Sequence, residues 1–203
     1  MNAMTTTLPD SKTARRAMID SQLRTSGVNE EYVLARMLAV PREDFLPADK
    51  ASVAYIDRAI ALGANEPGGA LAAPLFYGKL LMEAAPAPDD RALVVEGGTG
   101  YLAALLRPLV ADCATISAAD AAIGAADGKY SLIVIDGAIE QLPDALADLL
   151  TDNGRIVTGL VLRQVTRLAS GRKVAGQVNL QPLEDLGIPL LRAFDVPKRW
   201  TFA

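Results

Sequence analysis

The stretch Arg91–Tyr101, RALVVEGGTGY, constrains this chain more than any other. A short apolar run, Ala92–Val95, reaches glycines at 97, 98 and 100, and a helical pattern follows through Leu109. Strand, glycine turn and helix in that order are how doubly wound α/β folds bring a backbone close to a nucleotide-like ligand. The turn is unusual in one respect. Glu96 stands at its mouth, where a residue without a side chain is expected.

Composition narrows the chemistry. The 203 residues suffice for one ordinary domain, and 51% of them are hydrophobic, so the chain is globular. A net charge of −4 with no basic run argues against nucleic-acid binding, which needs clustered Lys and Arg against phosphates. There is no histidine, which removes Ser-His-Asp and Cys-His catalysis and the usual zinc sites. The single cysteine, Cys113, permits no internal disulfide and reads as a small core residue. No apolar run of membrane-spanning length and no apolar leader segment occurs, so the expected setting is the cytoplasm, with no membrane partner.

Residues 1–11 read as a frayed or tag-derived tail. A helix is expected over 12–26, closed by Gly27, and a second one capped by Asn29, with Val33, Leu34, Met37 and Leu38 on one apolar face. Pro41 ends it. Residues 42–70 look loop-rich, with Pro47, Pro67 and Gly68-Gly69. Pro74 suits the first position of a helix running to Ala85, and Pro86 and Pro88 mark a boundary. Thereafter strands and helices alternate. Strands are expected at Ala92–Val95, Cys113–Ser117, Tyr130–Ile135 and Arg155–Leu162, with weaker ones at Arg172–Val178 and Leu190–Phe194. Helices are expected at Tyr101–Leu109 and Leu142–Leu150, the latter stopped by Asn153-Gly154. This alternation predicts an α/β parallel sheet over 89–203, with a helical region over 12–88 packed against it. Trp200 reads as an anchor for the tail, and Tyr101 as packing under the glycine turn.

Three sub-patterns carry a family resemblance: Asp20-Ser21-Gln22-Leu23, then Val40-Pro41-Arg42-Glu43-Asp44-Phe45-Leu46-Pro47, then Ala54-Tyr55-Ile56-Asp57-Arg58. In this order they resemble the N-terminal region of protein-L-isoaspartate O-methyltransferases, and the likeness runs over roughly residues 15–160. The resemblance implies a Rossmann-like class I methyltransferase fold that uses S-adenosylmethionine (SAM). It implies methylation of isoaspartyl carboxylates in aged proteins, followed by succinimide formation and partial repair. Such a displacement from a sulfonium depends on positioning and electrostatics more than on acid–base groups, so the lack of histidine is no obstacle. By the same resemblance Glu96, Gly97, Gly98, Gly100, Tyr101, Ser117, Asp120 and Asp136 are candidates for the cofactor. Asp57, Arg58, Leu71 and Ala72 are candidates for the substrate.

The chain departs from the family pattern in four places. Counting back from Tyr101 without gaps, Glu96 replaces the first glycine, where its carboxylate would crowd and repel the ligand. With a two-residue deletion, Glu96 is instead the acid that ends the first strand and contacts the ligand's amino group. Ser117 stands where an acid ordinarily binds the ribose hydroxyls; Asp120 is either its substitute or a solvated loop residue. Only 12 residues, 118–129, separate Ser117 from Tyr130. A helix, a third strand and an adenine-contacting loop need about 30, so one strand or helix is expected to be missing. Ala72 replaces a serine expected near the substrate carboxylate. Asp136, at the end of the strongest strand, either faces the ligand or caps the turn at Gly137, and Asp57-Arg58 either line the substrate cleft or form an ion pair. Two functions follow: a SAM-dependent isoaspartyl methyltransferase, or a catalytically inactive protein of the same fold that binds or scaffolds. An incomplete sheet leaves an edge that a second subunit can cover, hence a candidate homodimer.

Overall fold

The computed structural model describes residues 10–63 and 69–196. The first nine residues, Pro67, Gly68 and Trp200 lie outside them. Helix α1, Ser11–Met18, starts where the Asp10 carboxylate accepts a bond from the Thr13 N–H at 2.9 Å. It runs on through a wide turn, Ile19–Leu23, and a tight one, Arg24–Ser26, to Gly27 at φ 82°. Helix α2 is Glu31–Ala39. Its N-cap is Glu30, with no side-chain cap, so Asn29 falls one residue short of the expected role. Val33, Leu34 and Met37 are buried, but Leu38 is turned outward and exposed, because the helix has rotated 100° past Met37. The stretch expected to be loop holds a short antiparallel pair, β1 (Ile60–Ala61) and β2 (Ala70–Leu71). Helix α3, Pro74–Ala84, has its proline at the first turn as expected, where the missing N–H costs nothing.

The sheet follows. Strand β3 is Arg91–Glu96, α4 is Tyr101–Leu106, β4 is Asp112–Ser117 and α5 is Ala118–Ala122. Strand β5 is Tyr130–Ile139, α6 is Asp144–Asp148 and β6 is Leu150–Leu162. The chain ends in β7 (Val165–Val174), β8 (Gln177–Val178) and β9 (Gln181–Asp185). Helix α6 is shorter than expected at both ends. Pro143 keeps Leu142 extended, and Leu150 is already drawn into pairing with Tyr130. Arg163 and Gln164, both at positive φ, form the two-residue turn between β6 and β7. Neither residue signals such a turn, so β7 begins seven residues earlier than expected, at Val165 and not Arg172. Leu190–Phe194 is not a strand: Leu190 makes one bridge to Ala138, and Arg192–Phe194 is a tight turn.

The strand order is β4-β3-β5-β6-β7-β8, with β9 also beside β7. The first four strands run parallel and β7 antiparallel, which is the doubly wound arrangement expected. One face of the sheet is covered by α1–α4 through a core that includes Leu23, Met37, Phe76, Leu102 and Val134. The other face meets α5 and α6 through Leu93, Ile133, Leu146 and Ile156. At the amino end of the sheet, Arg155 clamps Asp90 at 2.5 Å and donates to the carbonyls of Ala84 and Ala85, tying the end of α3 to β6. Between Ser117 and Tyr130 the described chain contains α5 and no strand, so β4 is an edge strand. Among the described residues no helix is long and apolar enough to cross a membrane.

Candidate functional site

The parallel strands β3, β4 and β5 carry their carboxyl ends to the glycine turn, and Glu96 and Ser117 are direct neighbours in register. Glu96 is the last residue of β3, with no left-handed backbone, so nothing in its conformation calls for glycine. Its carboxylate folds back over the turn and accepts a bond from the Gly100 N–H at 3.0 Å. Partial burial raises its pKa, opposed by that N–H and, farther off, by Arg107. The demand for glycine falls on the next residues. A Cβ at Gly97 would lie 2.2 Å from the Asp136 carbonyl oxygen, and Gly98 and Gly100 hold φ of 105° and 73°. Space beside Gly100 is open, so a ligand can approach its backbone.

Ser117 and Asp120 are engaged with each other. The Ser117 hydroxyl accepts from the Asp120 N–H at 3.1 Å and donates to its carboxylate at 2.7 Å, so Ser117 is the N-cap of α5. Asp120 is thus neither a free loop residue nor displayed alone; one carboxylate oxygen is already used.

Asp136 lies within β5, three residues before its end, and caps nothing: neither carboxylate oxygen accepts a bond. It is 2% exposed, pressed against Gly97, and burial pushes its pKa up to about 7. Glu96 adds to that rise, while the Tyr77 hydroxyl, Arg42 and the Gly97 N–H, close by but outside hydrogen-bond geometry, oppose it. Beneath it lies a buried polar and aromatic cluster, in which Tyr101 packs under the turn as its place in the sequence predicts. Arg42 is fully buried and donates to the carbonyls of Ala54 and Ala72, each at 2.8 Å. Its guanidinium stacks over the rings of Tyr101 and Tyr77 at 5.2 and 5.6 Å. Tyr101 packs edge-on against Tyr77 and Phe45, fully buried below the turn, so its ring is a floor and does not meet a ligand. The only sequence signal for Arg42 was its place inside the Val40–Pro47 pattern.

Asp57 and Arg58 line a cleft of about 640 Å³ with Ala59, Ala73, Phe76 and Ile188. They do not pair with each other, nor with any described residue. Leu71 and Ala72 do not join them: both side chains are buried in the core. Ala72 contributes only backbone, its N–H donating to the Tyr77 hydroxyl at 3.2 Å. Cys113 is half-buried on β4 and only skirts the core. Glu96, Gly98 and Gly100 line a second cleft of about 510 Å³ with Phe45, Arg107 and Thr115. An anionic mouth over a glycine turn with accessible backbone suits a ligand that carries an ammonium group.

The profile of the family described as protein-L-isoaspartate(D-aspartate) O-methyltransferase matches residues 13–120. The match ends inside α5, where the chain becomes short. A protein-L-isoaspartate O-methyltransferase from Koribacter versatilis is 31% identical, over 87% of this chain and 90% of its own length. One from Methanoregula boonei is 32% identical over 76% of this chain and 81% of its own. The fold is similar to that of a protein-L-isoaspartate O-methyltransferase from Plasmodium falciparum in complex with S-adenosyl-L-homocysteine. That likeness has a TM-score of 0.69 at 18% identity, over 91% of this chain and 99% of that one.

Proposed function

Since the chain belongs to the protein-L-isoaspartate(D-aspartate) O-methyltransferase family, we propose that it methylates the side-chain carboxylate of isoaspartyl residues in proteins, with SAM as donor. The observation that carries this reading is Glu96, an acid ending the first sheet strand and closing over a glycine turn whose backbone is open at Gly100. SAM supplies a methyl group on a positive sulfur, ready for displacement. Glu96 would take its ammonium group, Gly98 and Gly100 would admit the backbone approach, and Ser117 with Asp120, at the neighbouring strand end, would meet the ribose. Residues 118–129 give no wall for the adenine beyond α5.

The nucleophile needs no base from this chain, because an isoaspartyl carboxylate is already ionised at neutral pH. What the protein must supply is orientation. The cleft at Asp57 and Arg58 receives the peptide, with Arg58 as its one lining cation among the described residues. The buried Arg42–Tyr77–Tyr101 cluster holds the floor of the turn rigid beneath it. The helical stretch 12–88 thus serves as substrate-side cover for the sheet of 89–203. The test is transfer of labelled methyl from SAM to an isoaspartyl peptide, with the aspartyl isomer as control. Transfer to the isoaspartyl peptide alone is expected. Binding of SAM without transfer would make the chain a binding protein of this fold.

A further inference from the structure

The two edges of the sheet are built differently. At one, β9 (Gln181–Asp185) carries Pro182, two acids and a register shift against β7. Proline, charge and irregularity are the means by which exposed edges are kept from pairing with other strands. The charges there are also held down, Glu184 by Lys79 at 3.0 Å and Asp185 by Arg167. At the other edge, β4 has none of these. Its register with β3 is unbroken over six residues, and Cys113–Ser117 contains no charge, no lysine and no proline. Among the described residues nothing pairs with its outer side. The shortened segment 118–129 leaves it bare, because the family's third strand would stand there.

We propose that β4 is a dimerisation edge: two copies of this chain join their sheets antiparallel, β4 to β4, about Thr115. The register follows from the faces of the strand. Ala114 and Ile116 pack on the α5 side of the sheet, and Cys113 on the α4 side. A continuous antiparallel sheet must keep each face on its own side, so residues of equal parity oppose each other. Centred on Thr115, Thr115 meets its own copy, Ala114 meets Ile116, and Cys113 meets Ser117. Each pair is neutral and alike in polarity, and a Thr–Thr pair is favourable across strands. Centred on Ala114, Asp112 would oppose Ile116, which is a mismatch. In the Thr115 register Asp112 lies at the rim, where Arg91 already neutralises it at 3.2 Å. A second copy, and not an unrelated strand, is favoured because two-fold pairing uses this one unguarded edge twice and closes. The same assembly brings together the two α5 helices, beyond which Ile123 is 80% exposed.

The proposal does not depend on methyl transfer and is tested by mass. Sedimentation velocity of the full chain at about 100 μM, above the Kd of a weak specific interface, should give twice the 21.4 kDa protomer. Thr115→Lys, on an exposed position, should return it to the protomer mass with unchanged far-UV circular dichroism. With Cys113→Ser as background, Thr115→Cys should be joined into a covalent dimer by a short bifunctional maleimide, and Leu183→Cys on β9 should not. A protomer mass for the unaltered chain at that concentration would overturn the proposal. So would a dimer that Thr115→Lys leaves intact, or a dimeric Thr115→Cys sample that fails to cross-link.

Discussion

The glycine turn divides two regions that have been treated oppositely. Beneath it, Arg42, Tyr77, Tyr101 and Asp136 form a fully enclosed floor in which almost every side chain touches another of the set. Beside it, β4 and α5 form a thin margin in which Thr115, Ser117 and Asp120 are exposed. The family profile takes in Arg42, Tyr77 and Tyr101 of the first region, stops inside the second, and does not reach Asp136. With the cofactor placed as proposed, the end that reads charge, at Glu96 and the turn, adjoins the enclosed region, and the adenine side falls on the thin margin.

The largest break in this contrast should come from Arg42→Ala. It strands the Ala54 and Ala72 carbonyls in the core and removes the cation stacked on two tyrosines. A loss of about 3–5 kcal/mol in urea unfolding is expected, from two buried carbonyls left unpaired and the cavity the side chain vacates. Asp136→Asn should act in the other direction, and with a pH signature. Burial holds the folded pKa at about 7, well above that of an ordinary aspartate carboxyl. The stability that the neutral carboxyl carries is therefore fully present below about pH 4 and lost as pH rises through about 7. Asp136→Asn removes that loss. It should be more stable than the parent at pH 8 by a few kcal/mol, on the scale of 1.36 kcal/mol per pKa unit, and nearly equal to it at pH 4.

Glu96→Gln sharpens the comparison at the boundary of the two regions. Loss of the carboxylate should weaken S-adenosylhomocysteine binding about tenfold or more, the scale of a charge-assisted hydrogen bond. If Glu96 instead repels the ligand's own carboxylate, the same change tightens binding in a calorimetric titration, and Glu96→Gly, which also removes the bulk, tightens it further. The smallest effect is expected from Ser117→Ala. The hydroxyl caps α5, so thermal or urea unfolding should register a loss of about 1 kcal/mol. Its effect on ligand affinity should be smaller than that of Glu96→Gln.

Much of the fold could be read from residue patterns because local and global preferences agree there. Pro74 opens α3, Tyr130–Ile135 forms a buried parallel strand, and the count of 12 residues between Ser117 and Tyr130 revealed the missing strand. The errors fall where tertiary contacts overrule local signals. Asn29 is a good cap placed one residue early, and Leu150 leaves its helix to pair with Tyr130. Arg163-Gln164 makes a hairpin turn that carries no glycine. At the site, the ambiguity over Glu96 came from counting backwards along a turn. The backbone at Glu96 is ordinary strand, and the steric demand belongs to Gly97, which faces Asp136 across β5. Of the floor, Tyr101 was legible as packing under the turn; Arg42 and Tyr77 were not, because they come from separate stretches and meet it only in the folded chain.

The measurement that bears most directly on a cofactor placed in this way is a calorimetric comparison of two ligands. S-adenosylhomocysteine carries the amino-acid end, and methylthioadenosine keeps the adenosine without it. Saturable binding of the first, with no measurable heat from the second, is the expected result. Equal binding of both, or no binding of S-adenosylhomocysteine, would contradict a cofactor site held at Glu96 and the glycine turn.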